Sequence, residues 1–310
     1  MIVAVHRQAE PGSSVALPDG RRLSYAEFGD PAGYPVLNCH GSFTGGLDIA
    51  VAGPVARRLG IRIVSPDRPG TGGSTRARGR VIAEWARDVE TLLDALEVER
   101  CCVLGWSQGG PYAAALGALL PLRVEAVAIV AGVVPLDWPW EPPDPDAPGS
   151  LLSPNLHLSD KWPGYASLRF RAEAEMARRL PRRWWARKSR SMPPADIAAV
   201  EASDPASLAR AVSEGLRTPG GTVDDYLAVD QPWGFAYESI GVPVRLWHGA
   251  DDALVPADWS REAAARIPDS VLFSIEACGH FVAWSRFEDI FSDLLASRVE
   301  RRSGAAPELR

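Results

Sequence analysis

Several things are scarce in this chain of 310 residues, and each scarcity excludes something. Four cysteines are too few to staple a chain of this length, and adjacent Cys101 and Cys102 would face opposite sides of a strand. A reducing cytoplasm is therefore the expected setting. The longest apolar run, between Val124 and Leu136, is broken by Glu125, Gly132 and Pro135 and is too short to span a bilayer. The opening residues, from Met1 to Arg7, lack the cationic and then apolar pattern of a signal peptide. No excess of positive charge exists: the net charge of -6 argues against a partner that is a nucleic acid. Among five histidines no pair has metal-site spacing, so neither a metal nor another cofactor is expected.

What is present is the composition of a globular protein, with an alternation of strands and helices. An Asp19-Gly20 turn joins two short strands, and Pro35 to Cys39 is an apolar strand leading to His40-Gly41-Ser42-Phe43. A helical stretch from about Ile49 ends at Gly60, and the strand from Ile61 to Asp67 runs into the glycine-rich loop from Arg68 to Ser74. Trp85, Val89, Leu92, Leu93 and Leu96 recur at helical spacing. Strands alternating in this way with helices imply right-handed crossovers and a mostly parallel α/β sheet with helices on both faces.

The rhythm stops after Leu136 and resumes at the strand Val242 to Trp247. A stretch of about a hundred residues is too long for a loop in a compact domain, so an inserted, mainly helical subdomain is expected. The expected organisation is a core of residues 1–135 and 241–310 with a cap of residues 136–240. Helical patches are expected within the cap near Leu168 to Leu180 and Ala195 to Leu216. The cap holds Trp138, Trp140, Trp162, Trp184, Trp185 and Trp233, which either wall an apolar pocket or pack the cap onto the core. It is also polarised: between Lys161 and Arg190 stand ten Lys/Arg against two acids, and between Ser191 and Ile240 eight acids against two arginines. Such runs are usually solvated faces that pair with each other across the cap.

The most informative stretch is Gly105-Trp106-Ser107-Gln108-Gly109. An apolar strand enters it, and an alanine-rich helix with Pro111 in its first turn leaves it. That context matches a nucleophile elbow, in which serine occupies a strained turn with its hydroxyl exposed above a sheet. Glycine is required at 105 and 109 because a Cβ there would strike the crossing strand or helix. Ser107 is thus a candidate nucleophile. A serine hydroxyl needs a base and a carboxylate that fixes the base, and in open α/β sheets reactive groups gather past the carboxyl ends of strands. Asp251 and Asp252 follow one later strand, and Cys278-Gly279-His280-Phe281 follows the next.

Taken with His40-Gly41-Ser42, Asp67 to Ser74 and Gly249 to Pro256, these motifs resemble the α/β-hydrolase superfamily, in the branch with a helical cap after the sixth strand. The order Ser, Asp, His is that family's. The resemblance implies roles for matching positions: Ser107 attacks, His280 is general base and then acid, and Asp252, three residues after the glycine, orients the histidine. Asp251 is the neighbouring alternative, and Asp137 occupies a position that some relatives use for the acid. The backbone N–H groups of Ser42 and Gln108 would form the oxyanion hole, His40 would shape its loop, and Trp106 and Phe43 would wall the substrate pocket. Serine instead of aspartate at the elbow argues against a carboxylate nucleophile. The expected activity is hydrolysis of a carboxylic ester or lactone of a small to medium, fairly apolar molecule, by a monomer or homodimer. Carbon–carbon bond hydrolysis, acyl transfer and a catalytically silent ligand-binding protein are the rival readings.

Overall fold

The computed structural model describes residues 12–136, 138 and 152–303. Asp137 and Trp140 lie outside the described residues. The first two strands, β1 (Ser13–Ala16) and β2 (Arg22–Gly29), form the hairpin turned at Asp19-Gly20, and Gly20 adopts φ 85°. Then come β3 (Tyr34–Cys39), α1 (Gly53–Arg58), β4 (Ile61–Pro66), α2 (Trp85–Ala95), β5 (Cys101–Trp106), α3 (Gly109–Leu119) and β6 (Val124–Val130). The insertion follows β6 and is helical: α4 (Leu152–Lys161), α5 (Pro163–Arg179), α6 (Pro181–Lys188), α7 (Pro194–Ser203), α8 (Pro205–Gly215) and α9 (Gly220–Val229). The core resumes with β7 (Val244–Gly249), α10 (Ala257–Arg266), β8 (Ser270–Ile275) and α11 (Val282–Ser303).

The eight strands make one sheet in the order β1-β2-β4-β3-β5-β6-β7-β8, antiparallel at β1–β2 and β2–β4 and parallel elsewhere. From β3 the chain crosses first to β4 on one side, then back to β5 on the other. Loops leaving β3 and β5 therefore diverge and open a crevice, the place where doubly wound sheets bind ligands. Register sets how close those loops start, because Cys39 pairs with Gly105.

Strands covered on both faces are expected to be buried throughout, and β4, β5, β6 and β7 are. Cys101 joins the apolar cluster under α2 and α3, and Cys102 joins the cluster under α1 and α11, on opposite faces of β5. The second cluster continues through Trp106 and Phe281 into the cap, where Phe170, Trp184 and Val212 belong to it.

The cap holds more helix than its sequence periodicity implies. α4, α6 and α9 fall outside the two expected patches: α6 buries only Trp184 and Trp185, the buried positions described in α4 are the polar Asn155 and Ser159, and α9 is buried on several sides, so none shows a long apolar stripe. In α9, Val223, Asp224, Asp225 and Tyr226 are all buried in succession. Prolines mark the starts of α5, α6, α7 and α8, where a missing N–H costs nothing.

Charge in the cap is also resolved differently from the expected pairing across it. Basic residues pair locally, as in Arg178–Glu175 (2.7 Å) and Lys188–Glu173 (2.9 Å). The buried acids of α9 instead meet arginines of the core. Arg76 bonds Asp224 at 2.6 and 2.8 Å. Asp225 accepts from Arg68 at 3.1 Å, from the Tyr112 hydroxyl at 2.9 Å, and from Arg80. Removing one partner of a buried pair strands the other charge, at a cost of about 3–5 kcal/mol, while exposed pairs contribute about 1 kcal/mol or less. Asp225→Ala should therefore lower the unfolding free energy by about 3–5 kcal/mol in a urea titration, while Arg178→Ala should leave the urea midpoint nearly unchanged.

Candidate active site

At the carboxyl end of β5 the chain must turn at once into α3, and Ser107 carries that turn with φ 55°. A side chain in this left-handed region costs on the order of 1–3 kcal/mol and persists only where its surroundings enforce it. They do so here by close approach. A Cβ at Gly105 would lie 2.6 Å from that of Ala113, and one at Gly109 would lie 1.9 Å from the Cys39 carbonyl oxygen. The Ser107 N–H is held by the Val130 carbonyl at 2.8 Å.

Three strand ends bring their side chains together. The Ser107 Oγ lies 2.9 Å from Nε2 of His280, whose Nδ1 lies 2.8 Å from Oδ2 of Asp252. All three groups are satisfied when the Ser107 hydroxyl donates to Nε2 and the Nδ1–H donates to the carboxylate. Oδ1 of Asp252 accepts the N–H groups of Leu254 and Val255 at 2.8 and 2.9 Å. Asp251 is exposed, and its backbone N–H donates to the Cys278 carbonyl.

Electrostatics follows from this geometry. Burial opposes ionisation of Asp252, but the charge and hydrogen bonds of the facing imidazoles outweigh it and hold the carboxyl well below its usual range. Burial likewise opposes the charged form of His280, and the charge and hydrogen bond of Asp252 overcome it, so its pKa is raised.

The loop after β3 is built to hold its backbone still. His40 is buried; its Nδ1–H donates to the Gly41 carbonyl at 2.9 Å, and Nε2 accepts the Arg68 N–H at 3.1 Å. Burial first, then the nearby Arg68 charge, push its pKa down to about 3, which keeps it neutral. Asp48 accepts the Gly41 N–H at 2.9 Å and the Asn38 side-chain amide at 2.9 Å; burial raises its carboxyl to about 6. Ser42 donates its hydroxyl to the side chain of Gln108 at 2.7 Å, joining this loop to the turn after β5. Gln108 directly precedes α3, where backbone N–H groups have no partner within the helix.

Above these loops lies a cavity of about 500 Å³, bounded by the core on one side and the cap on the other. Phe43 and Trp106 line it, as do Trp184 and Trp185 of α6. The other cap tryptophans among the described residues serve elsewhere. Trp138 and Trp233 pack on Tyr237 at 5.1 and 6.0 Å, and Trp162 is 65% exposed. Trp106 also donates its ring N–H to the His280 carbonyl at 3.0 Å, and its ring fills the space that a Gly41 side chain would need. The Lys188–Glu173 pair brings opposite charges to a wall that also carries the hydroxyl side chains of Thr44, Ser191 and Tyr226.

Sequence reasoning reached the three side chains and both loops but missed the residues that hold them. His248 is one of them: its Nε2 is 3.1 Å from both Oδ2 of Asp252 and the Val255 carbonyl, and Nδ1 is 2.6 Å from the Ser260 hydroxyl. Its spacing of four residues from Asp252, across a strand end and a turn, was the available signal.

The family is settled by comparison as well as by shape. A family model described as the alpha/beta hydrolase fold matches residues 34–287, and the chain belongs to that family. It is 31% identical over 238 residues to the pimeloyl-[acyl-carrier protein] methyl ester esterase of Aromatoleum aromaticum, covering 74% of this chain and 84% of that protein. Solved structures share the fold. The enol-lactonase of Burkholderia xenovorans superposes with a TM-score of 0.66 at 20% identity, covering 92% of this chain and all of that one. An esterase from Exiguobacterium antarcticum gives a TM-score of 0.67 at 17% identity, covering 93% and 99%. Among the described residues, no helix is long and apolar enough to cross a membrane, and no group of three or more His, Cys, Asp or Glu could hold a metal ion.

Thiol chemistry separates the cysteines around this site. Cys39, Cys101 and Cys102 are buried, and burial pushes the Cys39 and Cys102 thiols up to about 12 and the Cys101 thiol higher still. Cys278, two residues before His280, is only partly buried. A disulfide reagent should thus modify one thiol per native chain, on Cys278 by peptide mapping, and all four after denaturation.

Proposed function

We propose that this protein is a serine hydrolase that cleaves a carboxylic ester or lactone of a small to medium, fairly apolar molecule through an acyl-enzyme. The observation that carries the reading is the unbroken hydrogen-bonded line from Ser107 Oγ through His280 to Asp252, opening on an apolar cavity. As Oγ attacks the carbonyl carbon, its proton passes to Nε2 of His280, and the carbonyl oxygen takes up the negative charge. The backbone N–H groups of Ser42 and Gln108 receive that charge; a donor of this kind contributes about 3–4 kcal/mol to the transition state. The carbon–oxygen bond to the leaving group then breaks, and Nε2 returns its proton to the departing alkoxide. Water attacks the acyl-Ser107 ester by the same route, giving its proton to Nε2. The acid product leaves when the bond to Oγ breaks and Oγ regains the proton. Every step uses groups the chain already holds, and none calls for a cofactor.

Support for the substrate class comes from the cavity: about 500 Å³ with tryptophan walls suits an apolar acyl or alcohol portion. The similarity to an esterase of a methyl ester points the same way. The test is a fluorophosphonate probe with adduct mapping, beside turnover of p-nitrophenyl esters of graded chain length. Ser107→Ala should lose at least about a thousandfold in kcat/KM and take no label. Retained turnover in that variant would sink the assignment.

The pH dependence follows with its sign. Turnover needs the neutral imidazole, and His280 sits above its ordinary value of about 6.5. The acid limb of kcat/KM should therefore have its midpoint above about 6.5, while Asp252 stays ionised across the range.

A further inference from the structure

Asp196 stands in the first turn of α7 in the cap and is 1% exposed. The reaction described above does not use it. Its Oδ1 accepts the Phe281 N–H at 2.8 Å, and a Cβ on Gly279 would fall 2.5–2.6 Å from its carboxyl atoms. The carboxyl group therefore lies directly on the backbone of residues 279–281, with the His280 N–H also facing it. Among the described residues, Oδ2 is buried without a hydrogen-bond partner. An orphaned buried oxygen is unfavourable, and an asparagine would serve the Phe281 N–H equally well. A feature that folding alone would not favour thus sits against the segment that carries the candidate base.

We propose that Asp196 is a positioning residue through which the seated cap orients and charges the catalytic histidine: it pins the backbone on either side of His280 and places a second negative group beside the imidazole. The inference rests on the assignment of His280 as base. Groups acting on that imidazole come from three directions: Asp252, itself in contact with His248, from the loop after β7; Ser107 from the turn after β5; and Asp196 from the cap. Asp196 in turn faces His280 and Asp252. An anion beside the ring favours imidazolium, so Asp196 and Asp252 pull the His280 pKa the same way, upward. Burial, the largest influence on Asp196, raises its own carboxyl, opposed by the Phe281 N–H. Its support therefore fades as the pH falls through that raised titration. Cap placement and base strength are linked by this one side chain, since a cap that lifts would remove both the acceptor and the charge.

The test compares wild type, Asp196→Asn and Asp196→Ala, reading the His280 ring C–H by NMR titration, assigned with His280→Gln, and the fluorophosphonate labelling rate of Ser107 against pH. Asp196→Asn keeps an acceptor for the Phe281 N–H and removes the charge, so the His280 midpoint and the acid limb of labelling should both move down by about half a unit or more. Asp196→Ala removes both, and its labelling rate at the alkaline plateau should fall at least tenfold below that of Asp196→Asn. An unchanged His280 titration in Asp196→Asn overturns the proposal, and so does an Asp196→Ala plateau equal to that of the asparagine variant. If Asp196→Ala does not fold, the asparagine titration decides alone. Should wild-type Ser107 take no label while the His280 titration still depends on Asp196, the hydrolase reading fails and the coupling stands.

Discussion

The ion pair between Arg68 and Asp225 fixes more of this molecule than any other contact. Arg68 is 1% exposed and comes from the loop after β4; Asp225 comes from α9 of the cap. A guanidinium at that depth is tolerable only while a carboxylate faces it, so the core loop and the cap helix hold each other in place. The same guanidinium donates to the carbonyls of His40 and Gly41, and its central carbon lies 4.7 Å from the Tyr112 ring centroid. A planar fork with every arm engaged has one orientation, so this side chain cannot swing as an exposed arginine would. The backbone of the Ser42 loop is thus located by a charge whose partner belongs to the cap, which makes the cap part of the site's foundation as well as its roof.

Strain marks the places where this foundation is used. Phe43, Ser107 and Ala277, one on each of the three loops around the candidate site, adopt φ of 64°, 55° and 55°. Each would relax if its neighbours allowed it. One side chain touches all three loops: Trp106 precedes Ser107, occupies the space beside Gly41, and holds the His280 carbonyl through its ring N–H. A single aromatic side chain therefore braces all three loops while presenting its remaining surface to the cavity. A smaller residue there would free the loops together, since their constraints meet in one ring.

How much of this was legible in the sequence depends on how local each cause is. Tight turns leave glycines at fixed offsets, so the elbow around Ser107 and the loops after β7 and β8 could be read directly, as could the alternation that gives a parallel sheet, while the choice of Asp252 over Asp251 came from the family resemblance. The α/β-hydrolase fold and its helical insertion followed from the same signals. Arg68 and Asp225 are 157 residues apart, and nothing near either names the other. Asp196 looked like one more acid on a charged helix; only its burial against the residues flanking His280 sets it apart. The polarity of the cap was visible, but its resolution was not, because the acids of α9 find their partners in the core instead of in the neighbouring basic helices.

Asp252 shows why the supporting residues matter as much as the motif. Two imidazoles face its Oδ2, and two backbone N–H groups occupy Oδ1, so the carboxylate is fully engaged before any substrate arrives. His248 is itself held by the Ser260 hydroxyl and the Val255 carbonyl, which leaves Asp252 one orientation. The carboxylate stays charged in a place where burial would otherwise favour its neutral form. That fixed charge is what keeps the proton of His280 on Nδ1 and leaves Nε2 to accept from Ser107. An elbow serine alone would have an ordinary hydroxyl. The reactivity proposed for Ser107 rests on a histidine whose tautomer is set from β7 and whose backbone is held from the cap, and so on the assembled fold.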